Sequence, residues 1–188
     1  MALEIIYKNL FESSEEGIIL TIDGAAKGLE GNLARAFARL YPDVWDDIEY
    51  TLNYPIPLGV TKIYPIHPDY ECKYAYCFIA STLHHLETLS EPEKLSIQTH
   101  AFRQVLSLAE AKGIKTIATA VMVGGWRLDL LVALDNMLKT YFSAALASTK
   151  LPLVKLYILS KSDFTTVSVY IRDTYSHATI TDSSIQFT

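Results

Sequence analysis

Short, nearly unbroken runs of hydrophobic residues alternate along the chain with longer stretches in which hydrophobic positions recur every three or four residues. The run at 3–7 predicts a first strand, and further strands are predicted at 17–22, 116–123 and 153–159. The continuous hydrophobic run at 17–22 suits a strand buried on both faces of a parallel sheet. The last three runs lack a polar face, so we expect them to form the centre of the sheet. Strands that alternate with helices predict an α/β fold with a mixed, mostly parallel sheet between helices.

Two further strands are predicted at 60–66 and 74–81, where β-branched and aromatic residues are frequent. Pro65 lies late in the first of them. Because proline has no N–H to donate to a neighbouring strand, this strand is expected at an edge of the sheet, or the proline marks its end.

Helices are predicted where the hydrophobic period is helical. The first has a stripe made of Leu29, Leu33, Phe37 and Leu40, and Pro42 stops it.

The second predicted helix has the clearest local boundaries. The segment Ser90-Glu91-Pro92-Glu93 has the form of a capping box, and Gly113 stands at the position expected after the helix end. A third helix, predicted to begin just after Gly124-Gly125, carries the stripe Leu128, Leu131, Leu138 and Phe142.

Residues 162–175 fit two patterns. Part of the segment alternates as a strand does, whereas Phe164, Val167, Ile171 and Tyr175 have helical spacing. A helix is favoured because a capping residue, Ser162 or Asp163, follows the preceding strand closely.

The length of the chain predicts one domain over residues 1–176, followed by an irregular polar tail at 177–188.

Charge and composition exclude several classes of function. The 16 Lys and Arg against 21 Asp and Glu give a net charge of −5, which argues against binding to a nucleic-acid backbone. No hydrophobic run is long enough to cross a membrane, and no signal-peptide pattern opens the sequence, so a cytoplasmic location is expected.

Cys72 and Cys77 lack the spacing of a metal site and would face opposite sides of a strand. We therefore expect free buried thiols, with no metal and no cofactor.

Ligands of parallel α/β sheets bind beyond the carboxyl ends of the strands, which here directs attention to the loops at 21–32, 122–127 and 160–164. The first loop contains Gly24, Gly28 and Gly31 before a helix, so its backbone can approach an anion closely; a flexible surface loop is the alternative. The second loop contains Gly124, Gly125, Trp126 and Arg127. There Arg127 adds charge, while Trp126 either covers a ligand ring or packs in the core.

The five histidines do not predict a site. His84 and His85 are adjacent, so their side chains diverge in a strand and do not converge in a helix. A serine hydrolase is disfavoured because the sequence has no G-x-S-x-G nucleophile elbow.

Three stretches resemble one known family in their order and spacing. They are 7–12, the glycine loop with its following helix at 17–37, and the strand and loop running from Lys112-Gly113 to Gly124-Gly125-Trp126. Together they resemble the macro domain, a three-layer α/β/α sandwich that binds ADP-ribose. The segments around Leu58-Gly59 and 74–79 look most like the branch that contains the terminal ADP-ribose glycohydrolases.

The resemblance implies a role for individual residues, with departures from the family pattern. Asn9 stands where the family often uses an aspartate to bind adenine. Phe164 stands where an aromatic residue at the rim of the cleft often stacks on adenine; the alternative is that Phe164 begins the buried face of its helix. The distal ribose would lie near Thr21, Asp23 and Gly24. The remaining implied ligand-binding positions are Gly31 and Asn32 in the first phosphate loop, and Gly124, Gly125, Trp126 and Arg127 in the second.

Two substitutions bear on the phosphate site. Glu30 and Asn32 stand where the family usually has glycines, and a carboxylate beside a diphosphate is repulsive. We therefore expect an anion to prefer the loop at 123–127, which has Arg127 and no carboxylate before Asp129.

Three functions follow as hypotheses. The first is a binding module for ADP-ribose or a related nucleotide. The second is an ADP-ribosyl hydrolase in which Asp23 orients water and Lys27 or Arg127 holds phosphate. The third is an interaction protein that has lost nucleotide binding. Catalysis and oligomeric state stay open at this stage.

Overall fold

The computed structural model describes residues 3–28, 31–124 and 127–187. The strands are β1 Leu3–Tyr7, β2 Gly17–Asp23, β3 Thr61–Pro65, β4 Tyr76–Leu83, β5 Thr116–Ala120, β6 Leu153–Ile158, β7 Ala178–Ile180 and β8 Ser184–Phe187. The helices are α1 Asn32–Leu40, α2 Pro42–Thr51, α3 Glu91–Lys112, α4 Leu130–Ala147 and α5 Lys161–Thr174, with a short 3-10 helix at Leu10–Glu12.

The strands form one mixed sheet in the order β3-β4-β2-β5-β6-β1-β8-β7. The pairs β4–β2, β2–β5, β5–β6 and β6–β1 are parallel, whereas β3 and β8 pair antiparallel with β4 and β1. The predicted central strands β2, β5 and β6 occupy the middle of the sheet. The α/β prediction with a mixed, mostly parallel sheet is confirmed.

Helices cover both faces of the sheet, which gives three layers. Successive residues of β2 alternate between the two cores, because Ile19 packs under α3, α4 and α5 while Ile18 and Leu20 pack under α1 and α2. All three side chains are fully buried. Burial on both faces explains why the sequence of β2 has no polar periodicity.

Local sequence signals account for several boundaries. Ser90 and Glu93 form the predicted capping box of α3, and Gly113 ends that helix in the left-handed conformation with φ of 72°. Strand β3, which ends at Pro65, is an edge strand as expected. The helix predicted over 162–175 is present as α5, but the prediction of its cap is wrong: Ser160 caps it, accepting a hydrogen bond from Asp163 N.

The expectation of an irregular tail at 177–188 is wrong for 178–187. β7 and β8 extend the sheet, and β8 pairs with β1. Ile185 is fully buried and Phe187 is 6% exposed. A strand this short alternates over too few residues for its sequence to stand out from a polar coil.

Three smaller expectations are also corrected. Pro42 ends α1 but occupies the first turn of α2, a helix that the hydrophobic pattern did not predict. The strand expected at 116–123 ends at Ala120. Cys72 was expected to face the opposite side of a strand from Cys77, but it lies before β4 and packs against the same hydrophobic core as the buried Cys77. Both thiols are free.

No helix in the described parts of the chain combines the length and the hydropathy needed to cross a bilayer.

Candidate functional site

The carboxyl ends of the five parallel strands β1, β2, β4, β5 and β6 lie along one edge of the sheet. The loops that follow them, including the glycine loop after β2 and the loop after β5, therefore share that edge. Expectations for Glu30, Gly125 and Trp126 concern positions outside the described residues. Among the residues that are described, no three His, Cys, Asp or Glu side chains converge as a metal ion would require.

Asp23, at the end of β2, is 6% exposed and uses both carboxylate oxygens within the protein. Oδ1 accepts a hydrogen bond from Ala25 N at 2.9 Å. Oδ2 accepts from the backbone N–H of His85 at 3.1 Å and lies 3.0 Å from its imidazole Nδ1. A water held directly by Asp23 would have to compete with these contacts, so the geometry does not favour Asp23 as the residue that orients water.

His85 is the functional candidate that sequence reasoning missed. It lies 62 positions from Asp23 along the chain, in the loop after the neighbouring strand β4. Its side chain is 45% exposed beside a carboxylate that is 6% exposed. His84 turns elsewhere, with Nε2 2.8 Å from Ile56 O, so the two adjacent histidines do diverge.

Gly24 was expected to contact a ligand, but its backbone groups bind within the fold. Its N–H donates to Leu83 O at 2.8 Å, and its carbonyl accepts from Ile56 N at 2.7 Å. A Cβ at this position would lie 2.0 Å from Ser81 Oγ and 2.4 Å from Ile56 O. Glycine is therefore required here for close packing of the loop against β4.

The first turn of α1 lies next to β2. Gly31 is the N-cap residue, with an extended backbone, and a Cβ built on it would lie 3.2 Å from Thr21 O. No side chain in the described parts of the chain caps this helix, and the first backbone bond of the helix runs from Arg35 N to Gly31 O. The N–H groups of Asn32, Leu33 and Ala34 therefore have no partner within the helix.

Lys27 and Gly28, which lie in the glycine loop after β2, contact α2. Gly28 N donates to Glu49 Oε1 at 3.3 Å, and Lys27 Nζ lies 3.9 Å from Glu49 Oε2. Gly28 has a φ of 82°, a conformation that favours glycine.

The loop after β5 differs from the prediction in one decisive way. Helix α4 begins at Leu130 rather than just after Gly124, and Asp129 caps it by accepting from Leu131 N and Val132 N at 2.9 and 3.1 Å. The helix N-terminus thus already carries a carboxylate of its own. Gly124 and Arg127 both have positive φ, and the Arg127 side chain is exposed. Among the described residues, the N-terminus of α1 therefore has no side-chain cap, whereas that of α4 is capped by Asp129.

At the end of β1, two aromatic rings pack together. The ring of Phe164 is 5.7 Å from that of Tyr7, and Phe164 is only 4% exposed. Of the two alternatives for Phe164, its burial favours the one in which it begins the buried face of α5, and Tyr7 is the half-buried ring. Asn9 caps the 3-10 helix, with Oδ1 accepting from Phe11 N at 3.0 Å.

Comparison with solved structures finds the same fold in macrodomains. The chain matches the Oceanobacillus iheyensis macrodomain with ADP at a TM-score of 0.74 and 16% identity, over 91% of this chain and 90% of that one. It matches a Trypanosoma brucei macrodomain in complex with ADP-ribose at 0.73 and 13% identity, over 90% and 69%. The macrodomain of Thermus aquaticus DarG gives 0.63 and 17%, over 84% and 97%.

By sequence, no family model matches the chain, and neither does any curated protein. The chain therefore has the macrodomain fold, which confirms the three-layer α/β/α expectation. Its relation to the terminal ADP-ribose glycohydrolase branch stays a prediction.

Proposed function

We propose that this protein binds ADP-ribose or a related nucleotide at the carboxyl edge of its sheet, with the diphosphate on the first turn of α1. The observation that carries the proposal is the helix N-terminus at Gly31, which has no side-chain cap among the described residues and lies against β2. Macrodomains of the same fold have been solved with ADP and with ADP-ribose bound, which supports a nucleotide as the ligand.

Backbone groups make this site independent of basic side chains. The aligned peptide dipoles place roughly half a positive charge at a helix N-terminus, and its free N–H groups point at an incoming anion. The absence of a side chain at Gly31 leaves room for a phosphate to approach Asn32 and Leu33. This is how a chain with a net charge of −5 can hold a diphosphate.

The adenine ring is assigned to the end of β1. Tyr7 supplies a half-buried aromatic face there. Because Asn9 Oδ1 caps the 3-10 helix, its Nδ2 group is the part of the side chain that can donate a hydrogen bond to a ring nitrogen of adenine. This reverses the sense of the hydrogen bond that an aspartate would make.

Two substitutions at Gly31 test the proposal. Gly31→Asp places a carboxylate at the N-cap, where it would cap α1 and repel a diphosphate at the same time. Gly31→Ser caps the helix without adding charge and is the matched control. Both added Cβ atoms meet Thr21 O at 3.2 Å, so the steric effect is common to the two variants.

Isothermal titration calorimetry with ADP-ribose gives the readout. We expect Gly31→Asp to weaken binding at least about tenfold relative to Gly31→Ser, which corresponds to about 1.4 kcal/mol. Equal affinity of the two variants would place the diphosphate elsewhere. No binding to the unaltered protein would favour the interaction-protein hypothesis.

A further inference from the structure

We propose that His85, positioned by Asp23, is a specificity-determining residue of this cleft that accepts a hydrogen bond from a sugar hydroxyl of the ligand beyond the diphosphate. The inference rests on the proposed function and deepens it, because it states which nucleotides the site prefers. The ligand class is a nucleoside diphosphate extended by a hydroxyl-bearing sugar.

Asp23 holds both the backbone and the imidazole ring of His85 in place. Asp23 Oδ2 receives the backbone N–H of His85 and also contacts Nδ1 of its imidazole, at 3.1 and 3.0 Å. Two contacts to one nearly buried oxygen fix both the backbone position and the ring orientation. The second oxygen of Asp23 is bound by Ala25 N, so the carboxylate itself is held in place.

The carboxylate also selects the tautomer of the ring. A neutral imidazole beside a carboxylate oxygen carries its proton on the nitrogen that faces the oxygen, here Nδ1. Nε2 then has a lone pair and points away from Asp23. Within the described parts of the chain Nε2 makes no hydrogen bond, and 45% of the side chain is exposed.

The position of the pair assigns it to the sugar. Asp23 is the last residue of β2, and Thr21, two residues earlier, has its carbonyl 3.2 Å from where a Cβ of Gly31 would lie. Asp23, with His85 bound to it, and the N-terminus of α1 therefore both lie at the last three residues of β2. A ligand whose diphosphate lies on α1 and whose adenine lies at β1 extends its remaining part towards β2 and β4, where His85 lies.

Comparison of ADP-ribose with ADP isolates this contact, because ADP ends at the diphosphate. Calorimetry on the unaltered protein should show tighter binding of ADP-ribose. His85→Ala should weaken ADP-ribose by about three- to tenfold, the range for one hydrogen bond, and leave ADP unchanged. His67→Ala is the matched control, since that side chain is 65% exposed and interacts with Asp69; it should change neither affinity.

The outcomes separate the two proposals. If the protein binds both nucleotides but His85→Ala leaves their ratio unchanged, this inference is overturned and the proposed function stands. If neither nucleotide binds, both fall together. An equal loss for ADP and ADP-ribose would also overturn the inference, because it would place His85 at the diphosphate or in a purely structural role.

The role of Asp23 has a spectroscopic test of its own. Nitrogen-15 NMR of the imidazole at about pH 8 should show Nε2 of His85 without a proton. Asp23→Ala should lower the fraction of the Nδ1–H tautomer, because the ring then has no carboxylate facing Nδ1. An Nε2–H tautomer in the unaltered protein, or an unchanged tautomer in the variant, would contradict the positioning role.

Discussion

The side chain of Gln98, which is fully buried in α3, donates a hydrogen bond from Nε2 to the carbonyl of Met122 at 2.7 Å. Its Oε1 accepts from Asn136 Nδ2 of α4 at 2.6 Å. One buried amide therefore fixes the start of the loop after β5 to two helices. Buried polar groups of this kind are costly to leave without a partner.

Replacing Gln98 with leucine should destabilise the protein by about 2 kcal/mol, because the buried carbonyl of Met122 would lose its partner. Urea unfolding measures the loss, and faster amide exchange at 121–124 would report the freed loop. Gln186→Leu, at an exposed position, is the control and should stay within about 0.5 kcal/mol. Equal effects would mean that the buried hydrogen bonds contribute nothing measurable.

Gly24→Ala should cost about 2 kcal/mol or more, because the new methyl group would overlap the backbone carbonyl of Ile56 as well as Ser81 Oγ. Gly28→Ala is the comparison, since a Cβ there meets nothing within 4 Å and strain arises only from its φ of 82°. That backbone strain is worth about 1 kcal/mol. A smaller loss for Gly24→Ala than for Gly28→Ala in urea unfolding would contradict the packing argument.

Glu15 forms a buried ion pair on the face of the sheet covered by the 3-10 helix. Its carboxylate contacts Lys155 Nζ at 2.8 Å and accepts from Tyr157 OH at 2.9 Å. Burial alone would raise the pKa of Glu15, but the hydrogen bonds from Lys155 and Tyr157 and the charge of Lys155 lower it below its ordinary value. In turn, burial and the hydrogen bond to Glu15 raise the pKa of Tyr157.

The stabilising contribution of Glu15 should depend on pH. Because the folded-state pKa is lowered, the contribution is complete above the unfolded-state value of about 4.3 and is lost as pH falls through the folded-state pKa. Glu15→Gln should cost about 2 kcal/mol at neutral pH, less than for a fully buried pair because Lys155 is 24% exposed. The difference from the unaltered protein should shrink in acid.

The control for this prediction is Glu12→Gln, at a side chain that is 60% exposed and 3.9 Å from Lys8. Such surface pairs contribute between zero and about 1 kcal/mol, so little change is expected. A Glu15→Gln loss that is the same at neutral and acid pH would show that the ionised form is not what stabilises the fold.

Asp129→Ala should destabilise the protein by about 1 kcal/mol, because Leu131 N and Val132 N lose the carboxylate that caps α4. Asp173 is an exposed carboxylate in the last turn of α5, where the helix dipole disfavours negative charge. Asp173→Ala should therefore leave thermal stability unchanged or slightly higher. A loss at position 173 as large as that at 129 would contradict the capping role.

Local chemistry explains what the sequence could predict. Ser90 and Glu93, which form the capping box of α3, are only three residues apart in the sequence. Gly113 ends the helix because glycine adopts the left-handed conformation easily, so both ends of α3 can be predicted from short segments. The central strands were readable because burial on both faces removes polar residues from a run such as 17–22.

Long-range pairing explains what was missed. His85 meets Asp23 only because β4 lies beside β2, and no local pattern in either segment encodes that neighbour. The same holds for β8, whose pairing with β1 joins the two ends of the chain. The loop after β5 was mispredicted for a different reason: the hydrophobic stripe shows where a helix lies, whereas its start was set by the capping residue Asp129.

A crystal structure of the unaltered protein grown with ADP-ribose tests the central claim most directly. The account predicts the diphosphate within hydrogen-bond distance of the N–H groups of Asn32 and Leu33, at the first turn of α1. A diphosphate bound at the N-terminus of α4, or a ligand bound away from the carboxyl edge of the sheet, would contradict it.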